Sequence, residues 1–184
     1  MRRNLRRKLA QSITVSIIII CTSCGHSGNR KGLVSSEKIT QQADGTISLK
    51  LEKASFYKCE TDPSNNTAEW NFVVSKPGTY GVWLSTATTD TMNLRYPTSV
   101  KINLQDERIE ANPVGDKIVL NAGDVKYPYF RADSYMGTFY IEQPGEYSIQ
   151  VINEKVVPDN VKSDVAKSEN TTRMMSVVLT PMTR

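Results

Sequence analysis

Trp70-Asn71-Phe72-Val73-Val74-Ser75-Lys76-Pro77-Gly78-Thr79-Tyr80-Gly81-Val82-Trp83-Leu84 reads as two alternating runs joined by a turn. Trp70, Phe72 and Val74 share a parity, Tyr80, Val82 and Leu84 share another, and Lys76-Pro77-Gly78-Thr79 between them reverses the chain. Successive strand side chains point to opposite faces. The stretch therefore predicts a β-hairpin with an apolar inner face. By the same parity Trp83, between Gly81 and Ser85, is sent to the outer, polar face, whereas Trp70 goes to the core.

The pattern recurs outward from this stretch. Thr46 to Glu52 alternates, with Ile47, Leu49 and Leu51 on one face, and Val100, Ile102 and Leu104 do the same. A short apolar run follows at Ile118 to Leu120. Thr138 to Glu142, the turn Gln143-Pro144-Gly145-Glu146 and Tyr147 to Ile152 predict a second hairpin, its Pro-Gly-x-Tyr turn 67 residues after the first. A last strand, Met175 to Thr180, follows a polar loop around Pro158 to Thr172. Short strands separated by turn signals, without a helical stretch, predict an all-β sandwich or barrel.

The N-terminus is different text. Five of the 23 basic residues fall at Arg2, Arg3, Arg6, Arg7 and Lys8, ahead of the apolar run Ile13 to Cys21. A basic start, an apolar run too short to span a bilayer and small residues before a break make residues 1–23 a secretory signal. Ser23-Cys24 resembles the cleavage box of bacterial lipoproteins, with Cys21 where that family prefers an aliphatic residue. The resemblance implies Cys24 as the lipidated first mature residue, held in the cell envelope, at the outer membrane and facing the periplasm or the surface. Residues 24–43 read as a flexible tether and 44–184 as the folded domain.

Removing residues 1–23 takes away five basic residues and no acid, so the formal charge of +4 falls to −1. A near-neutral domain offers no footprint for a phosphate backbone, and nucleic acid is not an expected partner. Of the three Cys, only Cys59 would remain as a free thiol, and the single His, His26, lies in the tether. Triads, Cys-His dyads and His-bearing zinc sites are absent from the domain. Catalysis would rest on carboxylates alone, and Asp106, Glu107, Glu110, Asp116, Asp124, Asp133 and Glu142 all sit among polar or turn residues. No enzyme is expected.

Ile47 to Ala54, the Trp70 to Leu84 stretch, Gly137 to Ile141, Pro144 to Ile149 and Val177 to Pro181 together resemble galactose-binding-like jelly rolls. The likeness is to carbohydrate-binding modules of the family 6/35 type and to accessory domains of secreted glycosidases such as fucosidases. It implies a galactose-binding-like jelly-roll β-sandwich that captures glycan without catalysis. In those modules a structural calcium uses a first-strand Glu and an Asp at the head of the last strand. Glu52 matches the first position, but Met175 stands at the second and offers no hard oxygen donor. No cofactor is assigned.

Sugars present apolar C–H faces and many hydroxyls, so a site needs an exposed aromatic platform with directional polar partners. Parity offers Trp83 and Tyr140 as platforms, unless they pack against another layer. Tyr127-Pro128-Tyr129-Phe130-Arg131-Ala132-Asp133-Ser134-Tyr135 is either a binding loop or a core strand. In the first reading Tyr129 or Tyr135 stacks on sugar while Arg131 and Asp133 bond hydroxyls. Asn93, Arg95 and Tyr96 are further loop-borne candidates. The contrasting expectation is a lipoprotein of the same fold that docks a cell-envelope protein and binds no sugar.

Overall fold

The computed structural model describes residues 38–156 and 172–182. The expected signal (1–23), Cys24, His26 and most of the polar loop before the last strand lie outside the described residues. The chain begins with β1 (Ile39–Thr40) and β2 (Ile47–Lys50), then β3 (Ser55–Tyr57), β4 (Thr67–Val74) and β5 (Gly78–Thr88). It continues through β6 (Val100–Leu104), β7 (Glu107–Ala111), β8 (Lys117–Val119), β9 (Phe130–Ile141), β10 (Gly145–Ile152) and β11 (Arg173–Pro181). No α-helix occurs among the described residues.

The strands form two packed sheets, as the alternation predicts. One runs β1-β4-β10-β6-β7, with β3 also on β4, and the other runs β2-β11-β5-β9-β8. The chain crosses repeatedly between them, the wiring of an all-β jelly-roll sandwich. Trp70 and Phe72 from the first sheet meet Tyr80, Leu84 and Phe139 from the second, all buried. Each such side chain contributes about 1.5–3 kcal/mol when removed from water. Trp70 also donates its indole N–H to the Lys50 carbonyl at 2.8 Å, a hydrogen bond that crosses from one sheet to the other.

Three expectations are corrected. Neither predicted hairpin is one: β4 and β5 lie in different sheets, and so do β9 and β10. Each Pro-Gly-x-Tyr turn is an arch over the core, because both of its strands bury their apolar faces against each other rather than side by side. In both arches the tyrosine hydroxyl donates back to the carbonyl four residues earlier, Tyr80 to Lys76 and Tyr147 to Gln143. The Thr46 to Glu52 alternation is not all strand, since a 3-10 turn takes over at Leu51–Lys53 and places Glu52 outside β2. Finally, ordered structure begins before Asp44. Ile39 and Thr40 pair in parallel with Phe72 and Val73. Gln41 then donates to Tyr80 Oη at 2.6 Å and accepts from Ser75 N at 2.9 Å, so the end of the expected tether is part of the sandwich.

Candidate functional site

A cavity of about 660 Å³ opens on the outer face of the five-stranded sheet, within the range of small-ligand sites. Its floor follows from strand parity. Tyr80, Val82 and Leu84 of β5 face the core, so Gly81, Trp83 and Ser85 face outward. Trp83 pairs across to Tyr135 of β9, with ring centroids 5.3 Å apart and planes tilted by 57°. Gly81 lies directly beneath the pair, where a Cβ would stand in ordinary contact, 3.5 Å from the Tyr135 ring and 3.6 Å from Trp83 Nε1. The indole is half-buried and lines the cavity.

Next along the face comes a polar group. Ser85 Oγ donates to Asp133 Oδ1 at 2.7 Å. Arg131 Nε lies 3.2 Å from the same oxygen, an ion-pair distance at an angle that makes no hydrogen bond. Arg131 Nη1 donates to both carboxylate oxygens of Asp124, at 3.2 and 3.4 Å. The residue opposite Arg131 on β5 is Ala87, whose small side chain leaves room for the guanidinium. One arginine thus orders two carboxylates beside the aromatic pair.

The outward position of Tyr135 depends on a β-bulge. Val82 pairs with Gly137 and Trp83 with Tyr135, so Met136 is an extra residue in β9. A bulge shifts parity by one residue. Before it Arg131, Asp133 and Tyr135 face out, and after it Thr138 and Tyr140 do. The Tyr135 N–H meets Asp116 Oδ2 at 2.7 Å. A second bulge, at Met175 in β11, brings Ser176 and Val178 onto the same floor.

The cavity thus gathers Trp83, Arg131 and Asp133, with Tyr135 packed against Trp83. Most of the Tyr127 to Tyr135 segment is strand, and the binding-loop reading fails for it, although its outward residues face the cavity. Tyr129 and Tyr140 do not join them. Tyr129 sits in the turn before β9, its N–H on the Lys126 carbonyl, and Tyr140 is exposed beside a smaller hollow lined by Leu104, Glu107 and Glu142. Asn93, Arg95 and Tyr96 also lie elsewhere. Asp90 accepts from the Met92 and Asn93 amides and pairs with Arg95, while Tyr96 packs on the core. Glu52 and Met175 do border the cavity, but no cluster of three or more potential metal ligands occurs among the described residues. The half-buried Cys59, whose thiol has its pKa lowered by a hydrogen bond with Thr61, is not at the cavity. Sequence reasoning missed Ser85, Lys50 and Lys117, which the cross-strand register brings together, and Asp124, which the turn before β9 brings to Arg131.

Part of the α-L-fucosidase from Vibrio sp. strain EJY3 matches 78% of this chain with a TM-score of 0.58 and 18% sequence identity. The two share a β-sandwich fold. The match takes in 24% of the fucosidase chain, and at this identity it speaks to fold alone. The insecticidal crystal protein Cry2Aa matches 71% of this chain at 11% identity and TM-score 0.39, over 17% of its own length. The functional form of the mosquito-larvicidal Cry4Aa toxin from Bacillus thuringiensis matches 80% at 12% identity and TM-score 0.43, over 25% of its own length. No protein-family model matches the chain, and no curated protein sequence does.

Proposed function

We propose that the outer face of the five-stranded sheet binds glycan without catalysis, and that the chain is an extracytoplasmic lipoprotein anchored through Cys24. The observation that supports it most is Trp83, a half-buried indole on the cavity floor whose N–H has no hydrogen-bond partner among the described residues. An indole at the cavity suits the C–H face of a pyranose, and the Ser85, Asp133 and Arg131 group beside it supplies the directional hydrogen bonds a sugar hydroxyl needs. Asp133 and the neighbouring Asp124 are both engaged by Arg131, which argues for holding a ligand rather than transferring a proton. The likeness to part of a fucosidase supports the reading only through the fold.

Of the two Trp, only Trp83 lines the cavity. A bound sugar should therefore change the intrinsic fluorescence of the wild type. Replacing Trp83 by Ala should remove that change and weaken binding about five- to thirty-fold, since stacking at such a site is worth about 1–2 kcal/mol. A glycan panel that leaves fluorescence and melting temperature untouched, with Trp83→Ala altering only which envelope proteins co-purify, would establish the protein-docking reading instead. For the anchor, Cys24→Ala should abolish acylation and release the protein from membranes.

A further inference from the structure

We infer that the ligand of this cavity is an acidic oligosaccharide, bearing carboxylates or sulfates and laid across the strands. The inference rests on the glycan-binding reading of the same site and adds the charge and length of its ligand.

The register decides the geometry. Lys50 of β2 pairs with Ser176 of β11, Ser176 with Ser85 of β5, Ser85 with Asp133 of β9, and Asp133 with Lys117 of β8. These five residues form one row across the whole sheet, with a lysine at each edge. Neighbouring strands lie about 4.8 Å apart, so four steps separate the two lysine backbones by roughly 19 Å. Both lysines border the cavity from its opposite sides, and Trp83 lies between them on the next row.

Charge then selects the ligand. Four cations and three anions line the cavity. Asp124, Arg131 and Asp133 are occupied with one another, as the 3.2 Å contacts show. The ammonium groups of Lys50 and Lys117 make no hydrogen bond or ion pair with any described residue. An ammonium on a long stem is a mobile point charge suited to a carboxylate or sulfate. A neutral sugar would stack on Trp83 and gain from the lysines only hydrogen bonds to its hydroxyls, without the attraction between opposite charges. A single acidic sugar could reach one of them, but only a chain of several units reaches both.

The test uses the full chain in detergent and follows Trp fluorescence. Oligogalacturonate, oligomannuronate and sulfated fucose oligomers are titrated against neutral oligomers of galactose, mannose and xylose of the same lengths. At least one acidic oligomer should bind about ten-fold more tightly than its neutral counterpart at low salt. Which acidic oligomers bind separates carboxylate from sulfate recognition. Lys50→Gln and Lys117→Gln should each weaken that binding about three-fold and together roughly ten-fold. Salt at about 0.5 M should remove most of the difference. An acidic monosaccharide should lose affinity with one lysine substitution and not with the other. Both lysines are exposed, so the melting temperature should confirm that the variants fold. If neutral oligomers bind equally well, or the double substitution changes nothing while Trp83→Ala abolishes binding, the acidic-ligand inference is wrong and the glycan reading stands. If no oligosaccharide binds, or only an acidic protein does, both fall.

Discussion

Trp70 and Trp83 are thirteen positions apart, and opposite parity gives them opposite tasks. Trp70 points into the sandwich and ties the sheets together through its N–H to the Lys50 carbonyl. Trp70→Phe keeps most of the apolar contact but leaves that carbonyl without its indole donor. Chemical denaturation should show a loss of about 1–2 kcal/mol. No measurable loss would mean that water replaces the bond at no cost. Lys50 thus serves the fold with its carbonyl and the cavity with its side chain. The inward and outward assignments of both indoles were legible in the sequence because alternation needs no knowledge of neighbours. Ser85 and Asp124 were not, since their importance arises only when β5 and the turn before β9 converge on Arg131.

At the scale of elements, the informative errors concern turns. A Pro-Gly turn between two alternating runs looks the same whether its strands pair or face each other across a core. Sequence parity says which side chains are inward and not which strand is adjacent. The pairing β6–β7 is a true hairpin, closed at Gln105 with φ of 51°, and it went unread because exposed Glu107, Arg108 and Glu110 mask the alternation of β7. The bulge in β9 was equally silent, although it turns Tyr135 toward Trp83. Its strongest support is the Asp116 carboxylate on the Tyr135 amide. In Asp116→Ala that amide should exchange with solvent roughly five-fold faster, since one such bond contributes about 1 kcal/mol. Glycan affinity should fall as the aromatic pair loosens. An unchanged exchange rate would show that the ladder alone holds the bulge.

The whole molecule responds to alkali through its interior. Tyr96 shares a hydrogen bond of 2.9 Å with Thr86, and burial raises its phenol well above the ordinary value near 10. The raised folded value contributes stability that is complete below pH 10 and lost as pH climbs through it. Lys155, whose ammonium lies 5.5 Å from the Tyr96 ring, has its pKa lowered by burial. Its effect has the opposite sign, so its penalty is relieved as pH rises toward 10.5. Tyr96→Phe should start about 1 kcal/mol less stable at pH 7 and then decline less than wild type between pH 9 and 11. Parallel urea midpoints for the two proteins across that range would remove Tyr96 as the cause. Composition gave no hint of this, because a tyrosine in a polar loop context reads as exposed until the core is seen to reach it.

The edges of the five-stranded sheet carry one more consequence. β2 and β8 are four and three residues long, and each presents an exposed lysine at its outer face, Lys50 and Lys117. Unpaired strand edges recruit other strands, and short length with a lysine is a common protection against that. Copies held by the proposed lipid anchor would share a plane, where their edges could meet. The two charges proposed to greet an acidic ligand would also keep neighbouring copies from zipping into a continuous sheet.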